Sequence, residues 1–128
     1  MLLSRGAKVY IAARSQEKTQ KVIDELKEET GKESVFFLKL DLTDLVTIKA
    51  AAEEFIGKES ELHGLYNNAY VPRVHSVGGK LLHVLISPSG VMYTPPEKVT
   101  EQGYDMQFGT NVLGVCIELT YHQISRSQ

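Results

Sequence analysis

Leu65-Tyr66-Asn67-Asn68-Ala69-Tyr70-Val71-Pro72 begins as one kind of segment and continues as another. An apolar run leads into two asparagines and an alanine, the way a buried strand delivers polar groups to a ligand at its end. A Tyr-Val-Pro-Arg segment then stands where a glycine is expected. A strand of this kind is buried only inside a sheet, so its reading depends on whether partner strands can be found.

Two stronger strands lie upstream. Lys8-Val9-Tyr10-Ile11-Ala12-Ala13 is a short apolar run preceded by Gly6, which suits the tail of a helix, a tight connection and then a buried strand. Val35-Phe36-Phe37-Leu38-Lys39-Leu40 concentrates β-branched and aromatic residues in a run too short for a helix, and it ends at Asp41. Between them Ser15 caps a predicted helix from Gln16 to about Glu29, with Val22, Ile23 and Leu26 as its apolar stripe, Lys/Glu pairs facing water and Gly31 as its stop. Thr43 or Asp44 caps the next helix, in which Ile48, Ala51, Ala52 and Phe55 recur at helical spacing before Gly57. Leu62 to Tyr66 is the third strand. Further on, Thr100 caps a long helix in which Tyr104, Phe108, Val112 and Cys116 keep an apolar stripe.

Strands and helices that alternate with short connections predict an α/β domain with a parallel sheet and right-handed crossovers. Ligands bind such sheets beyond the carboxyl ends of the strands, where Arg14, Asp41 and Asn67 to Ala69 fall.

Composition narrows the function. A chain of 128 residues holds one modest domain, and 42% hydrophobic with 23% charged residues is ordinary for a globular protein. A net charge of −2 gives no reason to expect nucleic acid or an anionic membrane as partner. Cys116 stands alone and forms no internal disulfide, so the expected setting is a reducing intracellular compartment such as the cytoplasm. The longest apolar run, Leu81 to Ile86, is too short for a membrane span. His63, His75, His83 and His122 share no ligand spacing, which leaves no predicted metal site.

Arg5-Gly6-Ala7-Lys8-Val9 leading to Ala12-Ala13-Arg14, then Asp41-Leu42-Thr43-Asp44, Asn67-Asn68-Ala69 and Thr110-Asn111-Val112-Leu113-Gly114, in this order and at the ends of these elements, resemble the short-chain dehydrogenase/reductase family. Within it the chain is similar to the retinol-dehydrogenase-like members. The resemblance implies a single Rossmann-type, doubly wound parallel sheet that binds a nicotinamide dinucleotide. It implies hydride transfer between nicotinamide and a small lipophilic alcohol or ketone. Arg14, where the family chooses its cofactor, implies NADP, because a guanidinium fork matches a 2′-phosphate and a carboxylate matches the free ribose of NAD. Asp41 and Leu42 would flank the adenine, although Asp41 also reads as a plain turn residue. Asn67, Asn68 and Ala69 would line the nicotinamide ribose, and Asn111 stands at the place of the family's catalytic asparagine.

The family motif needs a glycine directly after Ala69, and Gly90 with Val91 and Met92 supplies the continuation. Residues 70–89 therefore read as an insertion, of the kind that an intron read in frame or a splice variant leaves. The family's first strand and glycine-rich turn would precede this chain. Gly78-Gly79-Lys80 does not replace that turn, since Leu81 follows in place of Ser or Thr. Tyr121 has no lysine four residues on, so of the family's catalytic groups only Asn111 is present.

The fold expected is thus a partial Rossmann-type sheet without its first strand and its carboxy-terminal half. Two functional readings follow: an NADP-dependent oxidoreductase by family whose present residues do not complete the reaction, or a non-catalytic nucleotide-binding or interaction fragment. In the family sheet the first strand lies between the strand at Lys8–Ala13 and the one ending at Tyr66. Without it two inner edges are left open and the chain is expected to be marginally stable. Lys80-Leu81-Leu82-His83-Val84-Leu85-Ile86 has the composition to fill the gap, but nothing in its pattern specifies register or direction.

Overall fold

The computed structural model describes residues 2–67, 83–86 and 90–124. Its contacts gather into two compact units, Met1–Lys39 with Leu62–Pro88, and Leu40–Glu61 with Ser89–Gln128.

The first unit holds a parallel sheet. A 3-10 turn, Leu3–Arg5, ends at Gly6, whose φ of 81° is the left-handed conformation that glycine adopts without a side-chain clash. Strand β1 (Lys8–Ala13) follows, then helix α1 (Gln16–Thr30), strand β2 (Val35–Lys39), strand β3 (Gly64–Tyr66) and strand β4 (His83–Ile86). Ser15 caps α1 by accepting from the Lys18 N–H, and Gly31 ends it in the left-handed region, its N–H donating to the Lys27 carbonyl. Of the expected stripe on α1, Ile23 is buried and Leu26 packs against the core, whereas Val22 is 46% exposed and Thr19 is buried in addition. Thr19 takes the inner position because its hydroxyl donates to the Ser15 carbonyl and leaves its methyl to pack. Ile23 joins Leu3, Ala7, Val9 and Val35 in the core of this unit, with Leu26, Ile11, Phe37, Tyr66 and Ile86 against it.

The sheet order is β2-β1-β4-β3, with every pair parallel. The open inner edges expected from the sequence are therefore a misreading of this chain. β4 lies between β1 and β3, pairing Val9 with Val84 and Ile11 with Ile86 on one side, and Gly64 with Val84 and Tyr66 with Ile86 on the other. Its direction could not be read locally, because a parallel partner is chosen by which slot is open and not by a turn. The remainder of the segment 70–89 lies outside the described residues.

The second unit is built on helix α2 (Leu45–Lys58), whose Ile48, Ala51, Ala52 and Phe55 are all buried. Asp44, and not Thr43, is the cap, accepting from the Val46 N–H. Gly57 does not stop the helix, which runs on to Lys58. The last helix begins at Met106, with Asp105 as its cap, and passes from α3 (Met106–Phe108) through a π-helical stretch (Gly109–Gly114) into α4 (Val115–Ile124). Backbone angles at Phe108, Gly109 and Val115 are right-handed helical, so the three pieces form one continuous helix.

The stripe expected on that helix faces the other way. Tyr104, Phe108 and Val112 are 45%, 50% and 44% exposed and Cys116 is also exposed, while Gly109, Thr110, Gly114 and Glu118 are buried. Thr100 closes a turn with Tyr104 and does not cap the helix. Small residues took the inner face because the approach is tight: a Cβ on Gly114 would lie 2.8 Å from the Leu42 carbonyl oxygen and 3.3 Å from Ile48 Cδ1. Bulky apolar side chains on that face would hold the helix away from α2, against which α4 packs.

Candidate functional site

The polar residues at the strand ends are positioned by the backbone that follows each strand. In the first unit Arg14, an exposed residue, comes directly after β1 and directly before the Ser15 cap that opens α1. That end of a helix carries unpaired N–H groups and a partial positive charge. Ser15 was legible only as a cap. Its 3.4 Å bond from the Lys18 N–H is long and its neighbour is a cation, which makes its hydroxyl a further group able to meet an anion. Asn67 follows β3, and among the described residues its buried Oδ1 has no hydrogen-bond partner. An orphaned acceptor of this kind is a place where a donor from water or a ligand belongs. Asn68 and Ala69 lie outside the described residues.

In the second unit Asp41 and Leu42 form the turn that opens toward α2. Asp41 Oδ1 accepts from both the N–H and the hydroxyl of Thr43, at 2.9 and 2.7 Å. The Thr47 hydroxyl donates to the Asp41 carbonyl while its oxygen receives the Asp41 N–H. The turn role is thus present, and it employs one carboxylate oxygen. Leu42 is 4% exposed and has little side-chain surface to offer a flat ring. Gln102 reaches across 58 residues to donate to Asp44 Oδ1 and accept from the Leu45 N–H, and the Glu101 N–H donates to the Thr43 carbonyl. The loop before the last helix therefore holds the start of α2.

Gly90 and Asn111 meet. The Asn111 amide receives the Val91 N–H on Oδ1 and donates from Nδ2 to the Val91 carbonyl, each at 2.8 Å. A Cβ on Gly90 would lie 1.6 Å from that Oδ1, so glycine is required where the carboxamide reads the backbone. Both hydrogen-bonding ends of the Asn111 side chain are consequently occupied by the chain itself. Asn111 lies in the π-helical stretch, where hydrogen bonds reaching one residue further back shift the ladder, and its exposed carboxamide keeps one N–H and one lone pair beyond the two bonds to Val91. Such a stretch was not legible: only Gly109 and Gly114, weak helix formers at its two ends, stand as a signal. Beyond Val91 the loop is held once more, the Tyr93 N–H donating to Gln107 Oε1 with Tyr93 in the left-handed region at φ 55°.

The model of the short chain dehydrogenase family matches residues 1–122. The chain belongs to that family. A short-chain dehydrogenase/reductase of Armillaria gallica is 50% identical over 113 residues, which are 88% of this chain and 30% of that protein. Retinol dehydrogenase 11 of Homo sapiens is 38% identical over 88% of this chain and 29% of its own length. Retinol dehydrogenase 12 of Mus musculus is 37% identical over 98% of this chain and 33% of its own length. The chain thus spans about 30% of the length of the curated relatives it matches. Its parallel sheet with helices is a partial Rossmann-type α/β fold, and its family chemistry is oxidoreduction with a nicotinamide cofactor.

The residues present fit one end of such a cofactor better than its middle. In the first unit Arg14 at the start of α1 offers charge, and in the second the Asp41 turn, by itself, offers a carboxylate oxygen. A backbone cradle for the pyrophosphate is not found among the described residues. The central strand β4 is joined to the Asn111-bound Gly90 by three residues, fewer than a glycine-rich turn and helix require. Among the described residues no helix is long and apolar enough to cross a membrane.

Proposed function

We propose that these residues carry the adenine-ribose side of an NADP site, taken from a short-chain oxidoreductase acting on a small lipophilic alcohol or ketone, and that they do not complete the reaction unaided. The observation that carries the cofactor choice is Arg14, an exposed residue at the junction of β1 and α1, beside the Ser15 cap. A 2′-phosphate placed there would meet a charged fork, a hydroxyl and a helix amino terminus, three features that favour a dianion. The ribose of NAD would find no carboxylate at Arg14 to accept from its hydroxyls. When bound, the nicotinamide would supply hydride transfer. Asp41 would border the adenine through the carboxylate oxygen left over from its turn, and Asn67 and Gly90, with Asn68 and Ala69, would border the far ribose. Asn111 would hold Gly90 and Val91 in place by its side chain. The substrate class is carried by likeness to proteins named as retinol dehydrogenases.

Proton transfer to or from the substrate oxygen needs a general acid-base pair, and no Tyr-x-x-x-Lys occurs in residues 1–128. The short link from β4 to Gly90 favours a companion reading as a non-catalytic nucleotide-binding fragment, since it leaves the pyrophosphate without its turn. Titration calorimetry on the 128-residue chain tests both. NADP and 2′,5′-ADP should bind with similar affinity, and Arg14→Ala should weaken NADP by about tenfold, the loss of one charge-assisted contact, with NAD nearly unaffected. Equal losses for the two cofactors would remove the 2′-phosphate assignment. Alcohol or ketone turnover that vanishes in Asn111→Ala would overturn the claim of incompleteness.

A further inference from the structure

The loop that Asn111 grips also turns two large apolar side chains to solvent. Met92 is 74% and Tyr93 90% exposed, more than any other large hydrophobic residue described. Three hydrogen bonds from two side chains fix the backbone on either side of Met92: the Asn111 carboxamide holds Val91 at its N–H and its carbonyl, and Gln107 Oε1 accepts the Tyr93 N–H. Gln107 and Asn111 stand four residues apart on one helix, the spacing that puts two side chains on the same face. Tyr93 is the one residue other than glycine with a positive φ among the described residues, at 55°, a conformation that is unfavourable for a bulky side chain. With its ring in water, burial in the fold does not offset that cost. A backbone held against its preference, displaying a thioether beside an aromatic ring, is organised for contact with something apolar outside the fold.

We propose that Met92 and Tyr93 form the contact for the apolar chain of the substrate, and that Gln107 is a positioning residue that sets their direction together with Asn111. The inference rests on the reading of this loop as the nicotinamide side of a site for a lipophilic alcohol or ketone, in which Gly90, two residues before Met92, borders the far ribose. Tyrosine gives a flat apolar face with a polar tip and methionine an unbranched, adaptable one, a pair that fits a hydrocarbon chain without demanding one length. Because the backbone is fixed beforehand, little freedom is lost when the chain arrives. Gln107 acts through the Tyr93 N–H and needs only an acceptor to do so.

Methyl NMR on the full 128-residue chain labelled at methionine tests it, with 1-octanol as probe and no nucleotide present. Of the three methionines, Met1, Met92 and Met106, only the Met92 methyl signal should move saturably with octanol, and ethanol should move none. Tyr93→Ala should raise the octanol dissociation constant by about tenfold and Gln107→Ala by about fivefold. Gln107→Glu should stay within about twofold of the wild type, because its carboxylate keeps the acceptor for the Tyr93 N–H. Tyr93→Gly should lose octanol affinity while its urea midpoint rises by about 0.3 M, since glycine takes the left-handed angle without a clash. A midpoint unchanged or lower would show that Tyr93 serves the fold and would overturn the proposal. So would a still Met92 signal, equal affinity in Tyr93→Ala, or a Gln107→Glu variant as weak as Gln107→Ala. If Gln107→Ala does not fold, Gln107→Glu and Tyr93→Ala decide by the same criteria. Titration of the same samples with NADP separates the two readings: NADP binding without octanol binding overturns this inference alone, and octanol binding without NADP binding overturns the cofactor reading alone.

Discussion

The two units are held by different means. In the first, four short parallel strands are joined by main-chain ladders, and the packed residues are interchangeable aliphatics such as Val9, Ile11, Ile23 and Val35. In the second, backbone segments far apart in the chain are tied by particular side chains: Asn111 to Val91, Gln102 to Asp44 and Leu45, and Gly114 against the Leu42 carbonyl. A ladder accepts any residue that keeps its N–H and C=O, which is how a segment with no legible register came to fill the centre of a sheet. A side-chain tie accepts one residue type. The first unit should therefore tolerate conservative side-chain changes that the second does not.

Gly114→Ala should be the most damaging of the small changes in the second unit, because the added Cβ meets a backbone carbonyl that cannot rotate aside. A loss of about 3 kcal/mol, the upper part of the overpacking range, is expected by urea denaturation; a loss within error would mean the helix can draw back from Leu42 and that this contact is not tight.

Gly90→Ala ranks next. Its Cβ would displace the end of a side chain, so the cost is that of the two hydrogen bonds to Val91, about 1–2 kcal/mol. Asn111→Ala should cost a similar amount for the same bonds. The double variant sharpens the comparison: with the carboxamide gone, Gly90→Ala should add almost nothing, and strict additivity would show that the pair does not interact.

Ile11→Val in the first unit removes one methylene from a partly buried site and leaves the ladder intact. About 0.5–1 kcal/mol is expected, with unchanged exchange protection in β4; a larger loss than Gly90→Ala would break the distinction between the units. Gln102→Ala should have the smallest effect, about 0.5–1 kcal/mol for exposed hydrogen bonds, seen as faster exchange at the Leu45 amide.

Much of the fold was legible for local reasons. β1 agrees with its predicted run residue for residue, and Ser15, Gly31 and the α2 stripe stand where propensity and capping put them. Each of those signals sits within one turn or one strand of the feature it predicts. One position of the α1 stripe, Val22, and the face of the last helix were misread, because periodicity shows that a stripe exists and not which neighbour comes near. Tyr104, Phe108 and Val112 make the more apolar stripe, yet the residues that let a backbone pass at close range are Gly109 and Gly114. At the candidate site Gly90 and Asn111 were each singled out, separately and through family likeness; that one is the steric reason for the other appears only when both are in space.

What the sequence determined by itself was the alternation of elements, their caps and the family, since all three are written in residue types at short spacing. The tertiary structure decided which strand completes the sheet, which helix face turns inward and what Asn111 holds. Those outcomes depend on competition among segments distant in the chain for one slot or one close approach, a competition that no local pattern records.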